Sequence, residues 1–188
     1  MRSLESHNPL CLRMLRMLLE KGADPEVRDM TENAALHYLC RNGPATGVDL
    51  AIAMVCEEFH GPGFGLRNSE GESCFELLLD SADLISETND SDSSPDSAEY
   101  KSSAITREEM LVRWQRAVKF AVDHMTVPEL ERPLSTGKPP LTFAVGEGDK
   151  YLVQLLLEKG VDVDITESKS DQTALDLACN EGCEAEIA

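Results

Sequence analysis

Leu15-Arg16-Met17-Leu18-Leu19-Glu20-Lys21-Gly22-Ala23-Asp24 returns far along the chain as Val153-Gln154-Leu155-Leu156-Leu157-Glu158-Lys159-Gly160-Val161-Asp162. In both copies apolar residues recur at three- and four-residue spacing, which marks an amphipathic helix. Each run ends at a Gly that can take the left-handed conformation closing a helix, which a Cβ makes costly. A short acidic turn follows, Asp24-Pro25-Glu26 in one copy and Asp162-Val163-Asp164 in the other, and then a second helical unit. Self-similarity on this scale is the signature of stacked repeats.

The second units also match one another. Asn33-Ala34-Ala35-Leu36-His37, Lys138-Pro139-Pro140-Leu141-Thr142 and Gln172-Thr173-Ala174-Leu175-Asp176 align, and each reaches a Gly seven residues after its Leu, at Gly43, Gly148 and Gly182. A looser copy over 68–76 keeps Gly71 in its turn and sets Phe75 where the others carry Leu. This pattern resembles the ankyrin repeat, whose period is about 33 residues and whose signature is Thr-Pro-Leu-His-x-Ala. The Leu141-to-Leu175 step is 34 residues. The Leu36-to-Phe75 step is 39, placing extra loop residues around Gly61-Pro62-Gly63-Phe64-Gly65, and the Phe75-to-Leu141 step of 66 places a long insertion in one repeat. The resemblance is specific over 9–43 and 136–182 and diluted between. No unit carries the full signature: its first position is Ala34, Pro139 or Thr173, and its His position is His37, Thr142 or Asp176.

The resemblance implies an all-α solenoid of helix pairs joined by short hairpin-like turns. Ankyrin-like repeats are expected over 1–80, the first partial, and over 105–188, the last partial, with an acidic Ser-rich disordered insertion over 81–104. Residues 8–21 should form an outer helix with Asn8 as N-cap and Pro9 at its first position. Helix pairs should follow at 34–42 with 47–60, 73–80 with 107–124, and 139–147 with 149–159, and a last inner helix at 173–181. The first helix carries too many apolar residues to hide on one side, and the last is followed by about one turn of chain. Residues 170–188 are therefore expected to fray.

Between Arg67 and Lys101 there is no basic residue and there are ten acids, and 86–97 holds no apolar side chain at all. Such a segment cannot bury enough surface to offset its ordering entropy. Ser94-Pro95 and Ser93 with Asp96 three residues on are weak phosphorylation patterns, and a tolerated loop insertion is the simpler reading. Order is expected to resume at Thr106-Arg107-Glu108-Glu109, a capping-box pattern. Met110, Leu111, Trp114, Val118, Ala121 and Met125 then have helical spacing and should face neighbouring repeats, with Arg113, Arg116 and Lys119 on a solvated face.

Composition narrows the function. The 188 residues carry a net charge of −18, so nucleic acid and anionic membranes make poor partners, and a protein with a basic surface makes a better one. No apolar run approaches the roughly 18 residues of a membrane span, and the start lacks an apolar signal core. The six cysteines form no CxxC pair, which reads as reduced thiols in an intracellular, cytoplasmic or nuclear protein. His7, His37, His60 and His124 lie far apart; Cys56 and His60 stand four apart, as do Cys179 and Cys183, and nothing else near either pair has ligand spacing. Nothing marks a nucleophile with its base, or three metal ligands, so no enzyme activity, metal or cofactor is expected. The resemblance gives His37 a backbone hydrogen bond that stabilises its turn.

The resemblance implies a protein-binding module or scaffold that uses the concave face of the stack. On matching positions, Arg28, Met30 and Glu32 should sit at one fingertip, with Tyr38 and Arg41 on the helix behind it. Ser135 and Lys138 should mark a later finger, and Lys169, Asp171 and Gln172 the last. The alternative is a regulatory ankyrin segment of a larger enzyme, channel or ubiquitin-ligase adaptor.

Overall fold

The computed structural model describes residues 9–42, 49, 51–53, 55, 63–86 and 106–180. Its helices are α1 (Pro9–Glu20), α2 (Ala35–Arg41), α3 (Cys74–Asp80), α4 (Asp83–Ser86), α5 (Arg107–His124), α6 (Val127–Leu130), α7 (Pro140–Gly146), α8 (Lys150–Lys159) and α9 (Ala174–Asn180). Asp49, Ala51–Ala53 and Val55 are also helical, with Ala51, Ile52 and Val55 buried.

Local chemistry sets these boundaries. The Asp149 carboxylate accepts the Leu152 N–H at 3.0 Å to open α8, and Gly160, at φ +84°, turns the chain out of it. Gly22 takes the same left-handed conformation after α1. Ser73 caps α3 by accepting the Glu76 N–H at 3.1 Å, and Thr106 opens α5 by accepting the Glu109 N–H at 3.2 Å. Each such cap satisfies a donor that the first helical turn leaves open.

The helices pack in two rows. Inner helix α2 packs on α3, and α7 on α9, while outer helix α5 packs on α8. The pairs α3–α5 and α7–α8 join inner to outer. Leu36, Phe75 and Leu141, the equivalent signature positions, are at most 2% exposed, whereas Leu175 in α9 is 72% exposed. The fold is the all-α stack of helix pairs that the resemblance implied.

Two long-range contacts fasten α5 to the earlier elements. The Trp114 indole N–H donates to the Leu78 carbonyl at 2.9 Å. Phe64, fully buried in the 3-10 turn Gly63–Gly65, meets Phe120 edge-on with ring centroids 6.3 Å apart. The stretch read as a plain loop around 61–65 therefore supplies a core aromatic.

Some expectations need correction. Leu111 is 42% exposed, and Ala117 and Val122 are buried instead. The buried stripe of α5 runs through Met110, Trp114, Val118, Ala121 and Met125, and Leu111 falls one residue off it. Ser81 closes α3, its hydroxyl donating to the Leu78 carbonyl at 2.7 Å. Asp83–Ser86 then add a helical turn with Ile85 buried. Structure thus extends into the start of the expected insertion, and 87–104 lie outside the described residues. So do Asn8, the Cys56–His60 pair and 181–188. Within 170–180, where fraying was expected, α9 is formed, with Ala174 its one buried residue.

Candidate partner-binding face

Each inner helix from α2 onward is preceded by a finger whose ends come together. In three of them the N–H of Asp29, Asn68 or Leu134 donates to the carbonyl four residues on, and Glu32, Gly71 or Gly137 returns its N–H. The last finger is one residue longer: Glu167 donates to Gln172, and Asp171 returns its N–H to Glu167. Single antiparallel bridges, Arg67 with Ser73 and Thr166 with Thr173, close two of these hairpins. All four fingers turn through a residue of positive φ: Glu32 at 60°, Gly71 at 82°, Gly137 at 89° and Asp171 at 53°. Gly adopts this without a Cβ clash; Glu32 and Asp171 hold it at some cost.

The fingers are tied into a ladder. Ser69 donates its N–H to the Thr31 carbonyl at 3.0 Å, and the Asn68 amide donates to the Asn33 side chain at 3.1 Å. Arg28 reaches the Arg67 carbonyl at 3.1 Å, and Arg67 in turn reaches the Pro133 carbonyl at 2.6 Å. Ser168 donates to the Gly137 carbonyl at 3.3 Å. Neighbouring fingers are therefore held in register by directional bonds, which pre-organises whatever their tips present.

The residue after the signature position differs in every repeat, and in three of the four its side chain closes a turn. His37 Nδ1 accepts the Ala34 N–H at 3.1 Å, the role the resemblance implied. Burial drives the pKa of this imidazole below its ordinary value of 6.5, while the Leu66 carbonyl opposes the shift. The buried Nε2 nonetheless lacks a hydrogen bond of good geometry. Thr142 donates to the Pro139 carbonyl at 2.8 Å. Asp176 accepts the Thr173 N–H at 3.0 Å and its hydroxyl at 2.8 Å, and these bonds lower its pKa. Glu76, 3% exposed, reaches across to the next finger. Its carboxylate oxygens accept the Ser135 N–H at 2.8 and 3.0 Å, and the Ser135 hydroxyl as well.

The expected contact residues fall into two groups. Arg28, Met30, Glu32, Tyr38 and Arg41 share the first finger and the helix behind it. Met30 is fully exposed at the tip, and Arg28 and Glu32 pair at 3.7 Å. The Tyr38 hydroxyl donates to Asp29, which with bonds from Thr31 and Asn33 lowers the Asp29 pKa to about 2 and raises that of Tyr38. Arg41 Nη2 meets Glu72 Oε2 at 2.8 Å. In the second group Ser135 is engaged with Glu76, Lys138 is half-buried and Lys169 is exposed. The Lys169 Cε lies 3.6 Å from where a Cβ on Gly137 would stand, so the two later fingers lie against each other. Asp171 and Gln172 shape the backbone of the last turn.

Sequence reasoning missed one row. Two residues past the signature position stand Tyr38, Leu77, Phe143 and Leu177, which are exposed, buried, half-buried and half-buried. The same register arithmetic extended along the inner helices would have found it. Beside this row, Asp80 is raised to about 6, by burial first and then by Glu76, Asp83, Glu72 and Glu147. Cys40 and Cys74 are buried and Cys179 is exposed, and none of the three is in a disulfide. Among the described residues, none group with metal-ligand spacing, and no helix is long and apolar enough to cross a membrane.

Residues 141–182, which span most of α7, all of α8 and α9, match the family model for ankyrin repeats. A comparison with curated proteins gives no match. Residues 141–182 are thus similar to ankyrin repeats, a kind of repeat that in general serves as a protein–protein interaction module, and the rest of the described stack keeps the same order of finger, inner helix and outer helix.

Proposed function

We propose that the chain is a protein-binding module or scaffold that grips its partner on the concave face of the stack, across the fingers and the exposed residues of the inner helices. The hydrogen-bonded finger ladder is the observation that supports this most strongly, because it presents Met30, Tyr38, Arg41, Lys138 and Lys169 from a fixed frame. A rigid frame loses little entropy on binding, so modest side-chain contacts suffice for affinity. With a net charge of −18, a partner with a basic surface is favoured electrostatically. Buried cysteines outside any disulfide at Cys40 and Cys74 fit a reducing intracellular setting.

Quantitative affinity capture with three baits tests the reading. One is the unchanged chain, one carries Met30→Asp, Tyr38→Ala and Lys169→Glu, and one carries Glu108→Lys and Arg116→Glu on the outer face of α5. Proteins held by the first and third baits and lost by the second are the expected result. Capture that ignores the finger substitutions and fails with the α5 substitutions would overturn it.

A further inference from the structure

Ser135 is exposed in the turn that runs from Leu134 to Gly137, where the Gly137 N–H donates to the Leu134 carbonyl at 2.9 Å. Its hydroxyl nonetheless donates to the carboxylate of Glu76, which is 3% exposed and belongs to the preceding inner helix, α3. One residue thus faces solvent and also seals the joint between two repeats. Three residues before it stands Arg132, exposed like Pro133 beside it, whose guanidinium makes no hydrogen bond or ion pair among the described residues. In the whole sequence two hydroxyl side chains follow an Arg at this distance, Thr31 and Ser135. The first is the contrast, because Arg28 is bonded to the Arg67 carbonyl at 3.1 Å and paired with Glu32 at 3.7 Å. The Thr31 hydroxyl moreover donates to Asp29, two residues before it. Only Ser135 combines an open hydroxyl, a free guanidinium three residues earlier and a buried carboxylate as its partner.

We propose that Ser135 is a phosphorylation site for a kinase that recognises Arg132, and that its phosphorylation unlatches the third finger from α3. The kinase transfers the γ-phosphoryl group of ATP to Ser135 Oγ. The new P–O bond forms as the bond to the β-phosphate oxygen breaks, ADP leaves, and the hydroxyl proton passes to solvent. The ester oxygen then has no proton to give Glu76, and a charge of about −1.5 to −2 stands where the donor stood. Beside a carboxylate such a group repels rather than binds. The neighbourhood is already crowded with acids: Asp80, one turn further along α3, is pushed up to about 6 by burial first and then by Glu76, Asp83, Glu72 and Glu147. Glu76 is too buried to exchange its lost partner for water unless the joint opens. The device works whatever the fingers bind, because it acts on the contact between repeats.

The test incubates the folded full chain with Mg-ATP and a purified kinase selective for Arg three residues before its acceptor. Mass spectrometry locates the phosphate, and urea unfolding followed by Trp114 fluorescence reads the joint. Phosphate should enter at Ser135 ahead of Thr31 and Thr136, and Arg132→Ala, an exposed change, should abolish its entry there. The phosphorylated chain should unfold at lower urea than the unmodified chain, and by a larger shift than Ser135→Ala produces, since repulsion adds to the lost bond. In Glu76→Gln, which removes the facing charge, phosphorylation should shift the midpoint much less. A folded chain that takes no phosphate at Ser135, or takes it equally well in Arg132→Ala, overturns the proposal. So does a phosphorylated chain as stable as the unmodified one, or a shift of the same size in Glu76→Gln.

Discussion

Replacing Glu76 by Ala should cost about 2–4 kcal/mol of stability. The carboxylate accepts both the N–H and the hydroxyl of Ser135, and hydrogen bonds to a charged group contribute about 1.5–3 kcal/mol each. Two donors give about 3–6 kcal/mol before solvent is considered. Ser135 itself is exposed, so its freed donors regain water in the variant, which brings the figure down. Ser135→Ala loses only the hydroxyl bond and should cost about 1 kcal/mol, while Glu76→Gln keeps an acceptor and should fall at about 1–2 kcal/mol. Urea unfolding followed by fluorescence of Trp114, the chain's one tryptophan, reports on this region directly, since its indole is bonded to α3. A double-mutant cycle between Glu76→Ala and Ser135→Ala isolates the coupling. If Glu76→Ala lies within about 0.5 kcal/mol of the unchanged chain, the ordinary range for surface substitutions, the latch between these repeats carries no energy and the reasoning fails.

The remaining expectations concern the core, the fingers and pH. Leu156→Ala should cost about 2–5 kcal/mol, because the side chain is fully buried. Lys138→Ala should stay within about 0.5 kcal/mol, and equal losses in urea melts would break the repeat register. Gly71 has φ +82° and open space where a Cβ would sit, so Gly71→Ala should cost only backbone strain, about 1–2 kcal/mol. Glu32→Gly, relieving φ +60°, should gain less than about 1 kcal/mol, since Gly also loosens the unfolded chain. His37 and Asp80 oppose each other in pH dependence. Unfolded His37 takes up its proton near 6.5 and the folded ring resists it, so this group's stability contribution is lost as pH falls below that value. Folded Asp80 holds its proton up to about 6 against 3.8 when unfolded, so its contribution grows as pH falls through that window and is lost above it. Asp80→Asn should therefore make stability fall more steeply on acidification, and His37→Gln should flatten it; urea midpoints across the window check both signs.

The longer helices were legible because each is marked by local chemistry, whereas the four-residue helices α4 and α6 were not expected. Leucine spacing, the Gly22 and Gly160 exits and the Thr106 cap lie within a few residues of what they control. Signature spacing also placed the fingers, because the turn residue stands at a constant distance before Leu36, Phe75, Leu141 and Leu175. What escaped is long-range. Nothing near Phe64 in sequence announces Phe120, nothing near Ser135 announces Glu76, and Trp114 meets Leu78 only once the stack has formed. The expected contact residues were legible as positions in the repeat rather than as free groups. Tyr38, Arg41 and Ser135 were found by register, yet each spends its polar atoms on a neighbour inside the stack. Leu111 shows the reverse error, in which helical spacing alone makes the buried stripe too wide.

Site-specific photo-crosslinking tests the central claim most directly. A photoreactive amino acid is placed in turn at Met30 and Tyr38, on the first finger and its helix, and at Leu111 and Val112, exposed on the outer helix α5. Each protein is irradiated in the presence of the partners recovered by affinity capture. The account predicts covalent adducts from Met30 and Tyr38 and none from the two α5 positions. Adducts formed only from Leu111 or Val112 would contradict it and move the binding surface to the outer helices.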